Sequence, residues 1–408
     1  MNKTELLAPA GSFEKMEYAL EYGADAVYAG LPDFSLRARI NKFDEMSIIK
    51  AIEYAHGKKK KIYVTINIFA HNSHMRKINA FLDLMKVKRP DALIASDPGV
   101  ICIIKKHLPR MNVHLSTQAN TTNWETVKFW KSNGIKRIIL ARELNLEEIS
   151  EIHKKVPGIE LECFVHGAMC MAYSGRCLLS SWITGRSSNL GDCSQNCRWK
   201  YNLVEEKRPN EYIPVEQDKN GSYLLNSKDI CLIDHLDELK KAGITSFKIE
   251  GRAKSAYYLA RVVKSYREAM DMKERGGRRD KKLSSIKQNL SKLQNRSYTT
   301  GFLFDDCKVN GLETRFSHTN EDHVFVGEVV EFDKRNQLIL IKVHNALYKG
   351  DKVEIISPKK KNRTCIIRKI FEIDTKEEVE SAHGGQNKMV FVKMRVRPEK
   401  YSILSKYR

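Results

Sequence analysis

The sequence has no run of about 18 apolar residues, so no segment is fit to cross a bilayer as a helix. Its first residues, Met1-Asn2-Lys3-Thr4-Glu5, show no basic stretch leading into an apolar one. No secretory signal is visible, and the expected location is the cytoplasm. Acidic residues are in short supply: 50 Asp and Glu stand against 71 Lys and Arg, a net charge of +21. An enzyme of small metabolites has no need of that excess. Such a field attracts polyanions, nucleic acid first, although a lysine-rich solvated surface would give the same count. No G-x-G-x-x-G follows the first apolar run, which weighs against a dinucleotide site. Neither G-x-S-x-G nor H-E-x-x-H occurs, so two common hydrolase machineries are missing. No pair of C-x2-C knuckles is present, which excludes a zinc ribbon.

What is present is a chain of 408 residues, 42% hydrophobic, enough for a large domain and a small one. Eight short apolar runs lie in the first 250 residues: Leu6–Ala10, Ala26–Leu31, Ile62–Phe69, Ala92–Ser96, Val113–Ser116, Arg137–Ala141, Leu161–His166 and Thr245–Glu250. Most are rich in Val, Ile, Leu or Tyr and read as strands. Helical patterns fall between them. Ser12 caps Phe13–Glu21, Glu45–His56 follows, and Asn145 opens Leu146–Lys154 with Glu147 and Glu148 in the first turn. Strand–helix alternation repeated about eight times predicts an α/β fold, a TIM-like parallel (β/α) barrel, with an open doubly wound sheet as the alternative. The last two strands are separated by a long insertion, 167–244, which leaves from the C-terminal end of a strand, where barrel active sites are built.

The catalytic barrel is expected to span 1–255. A basic helical segment, 256–315, follows, with nine Lys or Arg against two acids over Lys273–Arg296. From 316 to 408 the pattern has period two. Val324–Phe332, Leu338–Val343, Lys352–Ile356, Ile366–Ile373 and Met389–Val396 read as strands of a small β-barrel, with turns at Asp333–Asn336 and Lys349-Gly350-Asp351.

The cysteines carry the strongest signal. Of nine, five fall in the insertion: Cys170, Cys177, Cys193, Cys197 and Cys231. They stand among Gly, Ser, Asp and Arg rather than in apolar runs. Clustered thiols in a reducing compartment point to a metal or to catalysis. Four thiolates suffice for an iron–sulfur cluster, with zinc the alternative metal. The favoured set is Cys170, Cys177, Cys193 and Cys231, with Cys197 in reserve. Gly167, Gly175 and Gly191 would let backbone approach such a group closely. Cys163, inside a strand, reads as a buried thiol.

The stretch 162–180 reads E-x-F-x-x-G-A-M-C-x4-G-x-C-x-L-S. Together with Leu7-Ala8-Pro9-Ala10-Gly11, Gly23-Ala24-Asp25-Ala26-Val27-Tyr28 and Phe247-Lys248-Ile249-Glu250-Gly251-Arg252, it resembles the collagenase-like peptidase family, numbered thirty-two among those of unknown catalytic type. The resemblance covers essentially the whole chain, small β domain included. It implies more than proteolysis. Branches of the family hydroxylate a tRNA wobble uridine, a ribosomal RNA cytidine or a quinone precursor, and the cysteines are associated there with a 4Fe–4S cluster. The chain's length and its C-terminal domain look most like the branch that hydroxylates C5 of the wobble uridine in tRNA with prephenate as co-substrate. Peptidase activity and another hydroxylation substrate are the alternatives, and a second family member is a possible partner.

Strand-end positions supply the remaining candidates. Asn67 and His71 follow the third strand, Ser116, Gln118 and Asn120 the fifth, and Glu250 and Arg252 the eighth; His166 ends the seventh. Catalytic roles are assigned to His166, Glu250, Arg252, Asn67 and Gln118. Arg37, Arg39 and Arg252 are the guanidiniums placed to grip a dicarboxylate. RNA phosphates are expected on Arg278 and Arg279 and on Lys359, Lys360 and Lys361. Tyr173, Trp182 and Trp199 lie near the motif and could stack on a base, but core packing is the ordinary expectation for them.

Overall fold

A computed structural model describes the chain except for residues 1–2, 36–40, 171, 174–175, 200–202, 206–207, 214–226, 274–275, 305–318, 320–322, 334, 386 and 408. The chain divides into two compact units. One comprises Met1–Met16, Ala24–Lys254 and Asn295–Thr319; the other comprises Glu17–Gly23, Ser255–Gln294 and Asn320–Arg408.

The first unit is a closed parallel barrel. Its strands are β1 (Glu5–Pro9), β2 (Ala26–Ala29), β3 (Lys61–Ile66), β4 (Ala92–Ala95), β5 (Val113–Leu115), β6 (Arg137–Ile139), β7 (Glu160–Ala168) and a closing strand, Ile244–Ile249. The closing strand pairs with β1 on one side and β7 on the other, so the open-sheet alternative is set aside. Each of the eight runs read from the sequence is a strand. Parallel strands covered on both faces read as continuous apolar runs, which is why they were visible. The helices between them start where local chemistry dictates. Asp44 and Ser47 form a capping box, as do Asn145 and Glu148, and Asp97 caps a helix with Pro98 in its first turn.

At β7 the wall gains two strands. The insertion leaves after Ala168 and returns as Asp229–Cys231, antiparallel to β7 with Asp229 opposite Ala168 and Cys231 opposite His166. Tyr298–Thr299 then pairs in parallel with the returning strand.

The barrel interior is ionic. Arg137 donates to Glu5 (2.5 Å), Glu160 (2.7 Å) and Glu162 (3.2 Å). Lys248 donates to Glu162 at 2.8 Å, and Tyr63 and Ser246 donate to Glu5. Burial would raise the Glu5 carboxyl, but Arg137 and Tyr63 more than offset it and hold it below the usual range. His114 stacks edge-on against Tyr63; burial first, then Arg137, push its ring well below the ordinary histidine value, so it is neutral.

The second unit is an eight-stranded antiparallel sheet in the order Arg363–Ile366, Lys352–Ile356, Ile403–Tyr407, His323–Asp333, Leu338–Val343, Met389–Lys393, Lys369–Glu372 and Glu378–Val379. Its edge strands do not pair with one another among the described residues, so it is a half-barrel. Its core is aliphatic, built around Val326, Ile341, Val353, Ile370, Val392 and Leu404. The single run expected over Ile366–Ile373 is two strands, because the chain leaves one sheet edge at Ile366 and joins the strand next to the opposite edge at Lys369. Helices Ala256–Met270 and Gly276–Ser291 belong to this unit, as does Tyr22, whose hydroxyl donates to the carbonyls of Ile356 (2.6 Å) and Tyr401 (2.9 Å).

Candidate active site at the barrel mouth

Where the strands of the first unit end, a cavity of about 520 Å³ opens. Its floor is the top of the ionic interior. Lys248 lies at its base, bonded to Glu162 and 4.5 Å from the Tyr28 ring centroid. Burial pulls the Lys248 ammonium below the usual lysine range, against the opposing pull of Glu162. Two guanidiniums line the wall. Arg252 donates to Ser35 and to Thr65 (3.4 Å), and Arg142 lies 3.8 Å from the Phe164 ring centroid. A third, Arg186, is paired with Asp192 at 2.9 Å. Cations face apolar rings in a half-open, partly desolvated space, which suits a small organic anion.

The strand-end reasoning located part of this wall. Asn67, Gln118, Glu250 and Arg252 all line the cavity. Asn67 is buried, and its amide donates to Gln118 (3.2 Å) and Ser116 (3.4 Å). His166 lies elsewhere. It is buried on β7, 5.5 Å from the Tyr298 ring and opposite Cys231, with burial pushing its pKa down to about 4 against a partial pull from Asp229. Asp229 itself is held below the usual carboxylate range, because Arg296 outweighs the effect of burial. Arg37 and Arg39 fall outside the described residues. Arg278 and Arg279 are on helix Gly276–Ser291, and Lys359, Lys360 and Lys361 are in an exposed loop, all in the second unit. Lys264 anchors that loop from beneath, donating to the carbonyls of Ser357 and Lys360 and to Asn362, each at 2.7 Å.

The sequence reading passed over Arg142, Phe164 and Lys248. Arg142 directly follows the run Arg137–Ala141, so the strand-end rule applied to it too. Lys248 stands between Phe247 and Ile249 inside a strand, and a charge in a strand covered on both faces is a signal for an ionic interior.

Four thiols share the cavity: Cys170, Cys177, Cys193 and Cys197. Cys231 lies on the returning strand beside β7. Among the described residues none of the cysteines is in a disulfide. The four differ from Cys163, whose burial drives its thiol pKa up. They are exposed or half-buried, as ligands at a rim should be. The Gln195 amide donates to Cys193 Sγ at 3.4 Å, and Gly191 has φ +88°, so the backbone turns close to the sulfurs. As the side chains lie, no three Cys, His, Asp or Glu among the described residues share one ligating shell. The donor set itself, four soft sulfurs around one space with an amide donor beside them, fits an iron–sulfur group.

A parallel barrel with a thiol-rimmed, cation-lined mouth and an appended half-barrel defines the class, and the chain belongs to peptidase family U32. The family's model matches residues 11–312, and the model of the U32 C-terminal domain matches residues 321–405. The chain is 42% identical over 398 residues to the tRNA hydroxylation protein P of Escherichia coli, covering 88% of this chain and 87% of that protein. It is 38% identical to the tRNA hydroxylation protein P1 of Bacillus subtilis over 94% of this chain and 90% of that one. A protein of Porphyromonas gingivalis named collagenase is 30% identical, covering 98% of this chain and 97% of its own length. No helix among the described residues is long and apolar enough to cross a membrane.

Proposed function

We propose that this chain hydroxylates tRNA, converting the wobble uridine to 5-hydroxyuridine at C5, with prephenate as co-substrate and a 4Fe–4S cluster. The observation that carries the reading is the convergence of four thiols on one cationic cavity, in a chain about 40% identical to tRNA hydroxylation proteins over most of its length. The relative named collagenase is more distant, at 30%.

Cys170, Cys177 and Cys193, three of the four thiols that line the cavity, would hold the cluster; the fourth ligand would be Cys231, on the returning strand outside that lining, with Cys197, which lines the cavity, in reserve. Bound there, the cluster would supply redox chemistry; hydroxylation is an oxidation, and hydrolysis is not. The chain's own residues handle charge and position. Arg252, with Arg142 and Lys248, meets the carboxylates of the co-substrate; Arg37 and Arg39 remain candidates for the same task. Asn67 and Gln118 present amide groups to the target base, and Glu250 is the carboxylate at the mouth. Arg278, Arg279 and Lys359–Lys361 take up RNA phosphates.

The test is a deletion strain complemented by the wild type or by Cys170→Ala, with tRNA nucleosides analysed by mass spectrometry. The expected result is loss of 5-hydroxyuridine and its derivatives, restored by the wild type alone. An unchanged nucleoside profile would overturn the tRNA assignment and direct the search to ribosomal RNA and then peptides.

A further inference from the structure

We propose that the outward face of the short helix Leu179–Thr184, with the turns flanking it, is a stacking platform for the unpaired bases of an RNA loop. This rests on the tRNA reading above and deepens it.

The helix is inside out. Ser180 is buried; its hydroxyl accepts from the Ser194 amide (3.0 Å) and lies 2.7 Å from the Ser194 hydroxyl. Thr184, one turn on, donates to the Ser180 carbonyl (2.8 Å) and to the Ser194 hydroxyl (3.1 Å). The polar side chains therefore face inward. Trp182 is 78% exposed and Ile183 44%. A surface helix ordinarily does the reverse, hiding its apolar stripe. The same inversion holds beside it, where Tyr173, Leu178 and Trp199 are 50%, 55% and 43% exposed. The expectation that Tyr173, Trp182 and Trp199 pack into a core is thus corrected.

The exposure is built in, because the segment is tied down. Ser188 donates to the Cys177 carbonyl (2.5 Å), Asn189 accepts from the Cys177 amide (3.3 Å), and the Phe69 amide donates to the Asn189 carbonyl (3.3 Å). Cys177 and Leu179 line the cavity, so the platform borders its opening. Five large apolar side chains exposed on one short helix and the segments beside it mark an interaction site. Its occupant is set by ring type and charge. Flat indole and phenol faces accept any base, exposed Arg176 stands between Tyr173 and Leu178, and the whole chain carries +21. Splayed, unpaired bases are what a tRNA loop offers, and they would lie beside the cavity that receives the target base.

The experiment measures binding of the full chain to a fluorescent anticodon stem-loop and to a blunt RNA duplex of equal charge, across a salt series. Trp182→Ala should lower affinity for the stem-loop about tenfold, the worth of one lost stack. It should leave duplex affinity and the salt slope unchanged, and Trp182→Phe should retain most of the stem-loop affinity. Stem-loop affinity unchanged in Trp182→Ala overturns the proposal. So does a wild-type dimer in light scattering that Trp182→Ala dissolves, or Trp182-dependent sedimentation with anionic vesicles, since the patch then serves a second copy or a lipid surface. The hydroxylation reading fails separately. A normal nucleoside profile in the deletion strain, with Trp182-dependent stem-loop binding, keeps the platform and removes the chemistry.

Discussion

The two sheets of this chain fill their interiors in opposite ways. The parallel barrel places Glu5, Arg137, Glu162 and Lys248 inside, every charge matched by another. The antiparallel half-barrel fills its inside with Val, Ile and Leu. Its buried charge lies apart from these, between the sheet and helix Ala256–Met270, where Glu354 accepts from Arg261 (2.6 Å), Lys292 (3.1 Å) and Asn362 (3.3 Å). The difference is one of use. A buried ion network adds little net stability over a well-packed apolar core, but it fixes groups in place. In the barrel it delivers Lys248 to the floor of the cavity. In the half-barrel the apolar side chains hold the sheet's inside, and the buried pair Arg261–Glu354 fixes helix Ala256–Met270 to strand Lys352–Ile356.

The comparison is broken most directly at Arg137. Arg137→Met would leave the fully buried Glu162 short of a cation and should cost about 3 to 5 kcal/mol in chemical denaturation. A loss below about 1 kcal/mol would mean that the barrel does not depend on the network.

Acid should separate the units next. His114 in the barrel has a folded pKa well below 6.5, so the unfolded chain takes its proton first and stability falls as the pH drops below 6.5. Glu354 is the opposite case. Burial would raise it, but Arg261 and Lys292 bring its pKa down from 4.5 to about 2. Its contribution, at most about 3 kcal/mol, is complete above pH 4.5 and lost as the pH falls to 2. Hydrogen exchange followed by mass spectrometry should show the barrel loosening at a pH where the half-barrel still holds. Simultaneous loosening would erase the distinction.

At the surface, replacing Lys359, Lys360 and Lys361 together by Ala should weaken tRNA binding about tenfold. It should also reduce the salt slope by about 2 to 3, with the melting temperature unchanged. A full slope would place the phosphate contacts elsewhere. The smallest effect should come from Ile341→Val in the half-barrel core, about 1 kcal/mol by calorimetry. A cost equal to that of Arg137→Met would make the two interiors equivalent.

How much of this was legible in the sequence follows the same division. The barrel strands were readable because both faces are covered and most of their residues are apolar, although single polar residues such as Glu162 and Lys248 interrupt them. The strand Ile403–Tyr407 escaped notice although it pairs with neighbours on both sides, because Ser402 and Ser405 are completely buried and polar residues look like surface. Around the cavity, position after a strand was a good guide to Asn67, Gln118, Glu250 and Arg252. It misled at His166, since β7 continues to Ala168 and carries the ring into the added wall beside Tyr298. Trp182 was misjudged for a related reason. Periodicity shows which residues share a helix face, but which face turns inward was decided here by hydrogen bonds to Ser194, a partner fourteen residues from Ser180.

The insertion leaves and rejoins the barrel at one place, with Asp229 paired directly across from Ala168. Its two ends are neighbours already, and the chain entropy of closing a loop grows only with the logarithm of its length. Segments of quite different size and composition can therefore be exchanged between these two anchor points at small cost to the scaffold. Heritable variation in what the mouth recognises can accumulate in a cassette, while the ionic barrel beneath is inherited intact.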